Sequence, residues 1–172
     1  MGTDSHSTNN TEVEMGVPST CFAKGTLILT QKGTVRIEDL QLGDLVVTVC
    51  NGTQPIRWIG WRYVDLPNLP EAERSQNCPV KITAGALGVN VPIQDLTVSA
   101  RHGILAGLVF TSAWNLQNGH TIMALENSDP VTYYHLELDG FQLIMANGMG
   151  AESYVDVGNR GEFMHQLHAS GP

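Results

Sequence analysis

Cys21-Phe22-Ala23-Lys24-Gly25-Thr26-Leu27-Ile28-Leu29-Thr30 is the stretch around which the chain is organised. A lone cysteine closes a polar leader and stands directly before a β-prone run. Gly25 permits a tight turn that a Cβ would obstruct, and Thr26 to Thr30 reads as a strand rich in branched residues. This order holds the Cys21 thiol at the mouth of a β-fold, beside its own peptide bond with Thr20. A thiol so placed can attack the Thr20 carbonyl and exchange the amide for a thioester. The plainer reading is a buried structural cysteine, since free Cys is among the most buried residue types.

Working outward, residues 1–20 are polar and nearly without large apolar side chains, so the leader is expected to be flexible. It lacks the charged, apolar and small-residue order of a signal peptide. After Cys21, short strands are expected at Thr34–Ile37 and Leu45–Cys50. Asn51-Gly52 signals a two-residue hairpin, with a return strand over Ile56–Val64 that places Trp58 and Trp61 in the core. Residues 65–78 read as a surface loop with one helical turn at Glu71–Arg74. Further strands follow at Pro79–Thr83, Asp95–Ser99, Ile104–Leu105, Val109–Thr111, Thr121–Ala124, Val131–Leu138 and Leu143–Ala146. Many short strands with turn residues between them indicate an all-β domain.

A faint repeat runs through it. Leu40-Gln41-Leu42-Gly43 aligns with Leu116-Gln117-Asn118-Gly119 at an offset of 76 residues, the difference between Leu40 and Leu116. The same offset sets His102 opposite Thr26. Two related β-halves are implied, with Cys21 from one able to meet His102 from the other.

Composition narrows the functions. With 172 residues and a net charge of −8, the chain has room for one core but no basic patch for nucleic acid or an anionic membrane. No apolar run reaches membrane-spanning length. Cys21, Cys50 and Cys78 have neither zinc nor disulfide-framework spacing, and if Cys50 pairs with Cys78, Cys21 stays free.

The chemistry expected of Cys21 needs a base near the thiol and a donor for the departing amide nitrogen. Ser99-Ala100-Arg101-His102 supplies a hydroxyl and an imidazole at a strand end. Ser99 is expected to hold the scissile carbonyl or amide while His102 protonates the leaving nitrogen; the plainer readings are a turn serine and a hydrogen-bonded, partly buried histidine. In Tyr134-His135-Leu136-Glu137-Leu138-Asp139, His135, Glu137 and Asp139 share one face of a strand, read as half-exposed and wet.

These blocks in this order resemble the Hint domain, the self-processing module of Hedgehog proteins, inteins and bacterial intein-like proteins. The resemblance rests on Cys21–Thr26 with Val35–Leu40 and Gly43-Asp44, on Ser99–His102, on Tyr133–Gly140 running into Met145–Gly148, and on Ala151–Asp156 with Gly158–Arg160. It implies an all-β horseshoe of two pseudo-twofold subdomains over residues 21–160, with 161–172 a disordered tail. It implies that Cys21 makes an N-to-S acyl shift on the Thr20–Cys21 bond, that His102 activates the amide and that Ser99 orients it. His135, standing where many inteins carry an aspartate, becomes a second catalytic residue. No cofactor and no metal are implied. The substrate would be the domain's own N-terminal flank, the acceptor a small or protein nucleophile, and the domain a monomer. The compartment is left open, a secreted bacterial protein being one setting.

Departures from the pattern limit the reaction. Inteins end on His-Asn, and the asparagine cyclises; here Glu152 and Ser153 align, so N-terminal cleavage or ligation is expected rather than splicing. Phe141 and Gln142 stand where related proteins often place a histidine. The alternative is a β-domain that keeps the fold as a binding or structural module without turnover.

Overall fold

In a computed structural model of the chain, residues 20–126 and 129–165 are described. They form fifteen strands, four short 3-10 turns and one α-helix. The strands are β1 (Phe22–Ala23), β2 (Leu27–Thr30), β3 (Gly33–Arg36), β4 (Leu45–Val47), β5 (Thr53–Pro55), β6 (Trp58–Val64), β7 (Pro79–Ile82), β8 (Leu96–Ser99), β9 (Gly103–Ala106), β10 (Val109–Ser112), β11 (Ile122–Ala124), β12 (Val131–Glu137), β13 (Leu143–Ala146), β14 (Met149–Glu152) and β15 (Met164–His165); the helix is α1 (Glu71–Asn77). No described helix is long and apolar enough to cross a membrane.

Two curled sheets hold these strands. One runs β11-β7-β8-β1-β12-β6-β15; the other runs β10-β9-β14-β13-β2-β4-β5, with β3 on β2. The expected all-β horseshoe is thus found, and the repeat is visible in its hydrogen bonds. Hairpin β2–β3 pairs Leu27 with Arg36 and Thr30 with Gly33; hairpin β9–β10 pairs Gly103 with Ser112 and Ala106 with Val109. Each position in the second hairpin is its counterpart in the first plus 76. The N–H of Thr26 donates to the Ala23 carbonyl and that of Ile37 to Thr26, while His102 donates to Ser99 and Ala113 to His102. Phe22 pairs with Val98, its own counterpart in the repeat. Antiparallel pairing of equivalent residues places the local twofold axis between β1 and β8. Cys21 and the Ser99–His102 turn therefore meet because they flank one axis.

The core is continuous through both halves, with Phe22, Ile28, Val46, Ile59, Val98, Ile104, Leu136 and Ile144 all buried. β12 is covered on both faces: Tyr133 and His135 are buried on one, Leu136 on the other. The wet face expected at His135 is therefore closed. Only its far end is open, where Asp139 meets Arg57 at the surface.

Local expectations differ in four places. The strand expected over Ile56–Val64 is divided, because Thr53–Pro55 pairs with β4 in one sheet and Trp58–Val64 with β12 in the other. Ile56 and Arg57 carry the chain across. Trp58 is buried and Trp61 only partly so; three residues apart on a strand, they face opposite sides. The Asn51-Gly52 hairpin is a longer connection in which Gly52 has positive φ and Asn51 does not. Thr48 organises it, its N–H and hydroxyl both donating to the Gly52 carbonyl. The folded chain also continues past residue 160: a 3-10 turn at Arg160–Glu162 leads into β15 on β6, and Phe163 is buried. The apolar ring of Phe163 holds this segment down. The leader 1–19 and residues 166–172 lie outside the described residues.

Asn147, at the β13–β14 turn, ties the halves together. Its Oδ1 accepts from Leu27 N–H at 2.7 Å, and its Nδ2 donates to the Asp95 carbonyl at 2.7 Å. Its φ of 47° lies in the left-handed region that asparagine tolerates better than most residues. Asn147→Ala removes two part-buried hydrogen bonds and puts alanine in a strained left-handed backbone, and is expected to cost roughly 2–4 kcal/mol, measured by urea unfolding. A loss below about 1 kcal/mol would show that the amide ties are replaced by water.

Candidate active site

Cys21 is held at each of its polar groups. Its N–H donates to Ser99 Oγ at 3.0 Å. Its carbonyl lies 3.0 Å from His102 Nδ1 and also accepts from the Ser99 N–H at 2.9 Å. Its Sγ lies 3.1 Å from His135 Nε2. The residue is fully buried, so these contacts form away from bulk water.

Each contact follows from strand placement. β1 lies between β8 and β12, with Phe22 opposite both Val98 and Tyr134. One step back along β1 reverses the side-chain direction, turning the Cys21 thiol to the face of β12 that carries Tyr133 and His135. On the other edge, Ser99 ends β8 and the chain turns tightly, with the His102 N–H donating to the Ser99 carbonyl. That turn folds the imidazole back over Cys21, where its ring lies 4.2 Å from that of Phe22.

The structure brings together all four residues singled out in the sequence; Ser99 lies on the scissile amide, one of the two positions expected of it, whereas His102 lies on the Cys21 carbonyl and not on the leaving nitrogen. The hydroxyl of Ser99 meets the amide nitrogen of Cys21, and His102 meets the Cys21 carbonyl. The reason is the β1–β8 register, which puts the β8 end over the amide and the following turn over the carbonyl. A carbonyl only accepts, so Nδ1 of His102 carries its proton. Its Nε2 is then a bare lone pair, buried and without a hydrogen-bond partner among the described residues.

Both imidazoles are kept neutral. His102 is lowered to about 4, chiefly by burial, with the backbones of Cys21 and Glu152 pulling weakly the other way. His135 is lowered to about 3, first by burial, then by the positive charge of Arg62 and by His102, against the nearby Thr20 backbone. Removing water disfavours the charged form of a base. A neutral His135 has an open lone pair for the Cys21 proton.

Sequence reasoning missed the rest of the surroundings. Tyr133, fully buried, donates its hydroxyl to the Asn77 carbonyl at 3.0 Å, and Arg62 lies over its ring. Trp58, Tyr154 and Phe163 form a separate apolar cluster, and all three rings reach His135. Gly60 faces His135 across the β6–β12 pair; a Cβ there would lie 2.1 Å from the Trp58 ring. The spacing of Trp58 to Gly60 on a strand held that signal, but the aromatic positions after 153 had no periodicity to announce them. Glu152 accepts the Gly103 N–H at 2.6 Å, bracing the turn that carries His102.

Comparison with known proteins agrees with this architecture. A family model described as the Hint domain matches residues 20–158. Among solved structures, the bacterial intein-like domain from Clostridium thermocellum matches with a TM-score of 0.56 and 17% identity, over 78% of this chain and 98% of that one. A DnaB intein from Synechocystis sp. PCC 6803 matches with a TM-score of 0.54 and 12% identity, over 80% and 100%. A variant of the gp41-1 intein gives 0.53 and 15%, over 77% and 98%. At these identities the likeness is one of fold. No individually curated protein sequence matches the chain.

Neutral buried imidazoles make stability depend on pH. Below the ordinary histidine value of ~6.5 the unfolded chain binds protons that the folded chain refuses, so stability falls as pH falls. Between pH 6.5 and 5 the loss is expected to be about 2 kcal/mol per imidazole, read from urea unfolding. His102→Gln should flatten roughly half of that slope; a parent profile flat over this window would mean that both rings titrate normally.

Proposed function

The chain belongs to the Hint domain family, and from that premise we propose that it is a self-processing domain that cleaves or transfers its own N-terminal flank at the Thr20–Cys21 bond. The observation that carries the reading is the three-way hold on Cys21: thiol on His135, amide nitrogen on Ser99, carbonyl on His102. A structural cysteine needs none of these.

In the proposed reaction, Cys21 Sγ attacks the Thr20 carbonyl carbon while its proton passes to His135 Nε2. The S–C bond forms and the C–N bond breaks, and the proton is returned to the Cys21 nitrogen, leaving an amine and a thioester. Ser99 Oγ keeps that nitrogen aligned and relays its proton. His102 fixes the Cys21 carbonyl, so that the residue cannot rotate as its amide opens. A second nucleophile, such as water, a thiol or an amine, then takes the acyl group, and its proton restores the Cys21 thiol. General acid–base help of this kind is typically worth ~10²–10⁴ in rate.

The second reading, a retained fold without turnover, is favoured by one observation: His135 is so desolvated that it is a weak base for a thiol. Attraction between the nascent thiolate and imidazolium offsets part of that cost, which is why we prefer the reactive reading. Splicing is not part of the proposal, since Ser153 has no amide to cyclise.

Incubation with dithiothreitol or hydroxylamine is expected to cut between Thr20 and Cys21, detected by intact mass. Cys21→Ala should abolish the cut, and His135→Ala and Ser99→Ala should each slow it by about 10²-fold, the lower end for a positioned acid or base. With reporter proteins on both flanks, no ligated product is expected. An unchanged mass in a folded sample would favour the structural module instead.

A further inference from the structure

We propose that the downstream segment Arg160–His165 is a working part of the Cys21 site, and that Phe163 is a positioning residue whose ring seals His135 from water. The family match ends at residue 158, so nothing in that match gives these residues a role. The proposal rests on the reading of His135 as the proton acceptor for Cys21.

The geometry is specific. Phe163 is 5% exposed, and its ring centre lies 4.3 Å from that of His135. It is held there from both sides. β15 pairs Met164 with Trp61 and His165 with Gly60, and Gly60 is itself the residue opposite His135. On the upstream side, the Arg160 guanidinium grips Glu137, two residues beyond His135 on β12, and also reaches Asp156 at 3.3 Å. Its charge lies over the Trp58 ring. An exposed ion pair contributes little to stability, but it fixes where Phe163 begins.

The groups that face or flank His135 can be taken element by element. Cys21 comes from β1, Arg62 and the Trp58 ring from β6, Tyr133 and Glu137 from β12 itself, His102 from the turn after β8, and Tyr154 from the segment after β14. The downstream segment adds Phe163, the Arg160–Glu137–Asp156 ion cluster, and His165 against Trp58. Arg62 and His102 also disfavour a charge on His135, and a change in the segment leaves both in place. What Phe163 adds, beside the more distant Trp58 and Tyr154 rings, is apolar cover on the imidazole. Removing it admits water, which relieves the desolvation that holds the proton off.

The test reads the His135 ring directly. In a Cys21→Ala background, which cannot react, imidazole NMR is used to titrate His135 with Phe163 intact or changed. Phe163→Ala is expected to raise the midpoint by at least about one unit, toward the ordinary ~6.5. Phe163→Leu should raise it less, and Phe163→Tyr, which keeps the ring, should leave it where it is. With Cys21 restored, the rate of thiol-induced cleavage by Phe163→Ala, divided by that of the parent at the same pH, should fall as pH drops through the raised His135 midpoint. If Phe163→Ala does not fold, Phe163→Leu carries the test. An unmoved midpoint in a folded variant overturns the proposal even if the parent cleaves. A parent that never cleaves removes the reaction but leaves the titration to decide the role of Phe163.

Discussion

The antiparallel pair Phe22–Val98 is the constraint on which the rest of the molecule depends. These two residues are equivalents in the internal repeat, and their pairing puts the local twofold axis between β1 and β8. Everything chemical is arranged about that line. Cys21 lies one step before the pair in the first half, and Ser99 one step after it in the second. Symmetry alone would put matching side chains on both sides, but Ser99 corresponds to Ala23 and His102 to Thr26. The two halves share a backbone and have divided the polar groups between them. Thr26 uses its hydroxyl to hold the Ala23 carbonyl at 2.7 Å, a turn-stabilising bond. Its counterpart, His102, reaches across to Cys21.

Burial sets the chemistry as firmly as placement does. The same exclusion of water that keeps both imidazoles neutral also weakens them as bases, since the best proton acceptor titrates near the working pH. In the proposed reaction such a site would trade rate for control: thiol, amide and imidazoles are held in place, and proton transfer would proceed only as charge forms on both partners together. The polar groups of Cys21 are engaged in the resting state, whereas one nitrogen on each imidazole has no hydrogen-bond partner among the described residues. Those two nitrogens are where water entry or proton uptake would first change the balance.

Much of this was legible in the chain. Short β-prone runs with turn residues announced the all-β class, and a faint similarity at one offset announced the duplication, which the hydrogen bonds of both hairpins then repeat. Cys21, Ser99 and His102 were singled out because a nucleophile needs a base and a donor, and His135 through the resemblance to the Hint family; the structure brings the four side chains together. Less legible was which atom each would touch. Ser99 was expected on the carbonyl or the amide, and the choice of the amide, like the placement of His102 on the Cys21 carbonyl, follows from the register of two short strands, which is not written in composition. The dry surroundings of His135 were hidden for a related reason. Alternation along β12 suggested an open face, but β1 and the aromatic residues after 153 close it, and those contacts are set by chain return rather than by local pattern. The break between β5 and β6 was missed because an apolar run does not reveal that it changes sheets.

The downstream end shows how far the fold has been committed to structure rather than to release. Ser153 is buried, and its hydroxyl accepts from the Gln142 N–H at 3.0 Å, closing the β13–β14 hairpin. Asn147 has both ends of its amide engaged, so its nitrogen is not poised to attack its own carbonyl. Asn159 is buried with its Oδ1 accepting from the Tyr154 hydroxyl at 2.6 Å, which holds Tyr154 against His135. Each of these side chains is engaged within the fold, and Asn159 also seats Tyr154 beside His135. On the proposed reading, a fold that builds its N-terminal reaction site from downstream residues would gain a sealed base, and it would keep that seal only while the downstream chain stays attached.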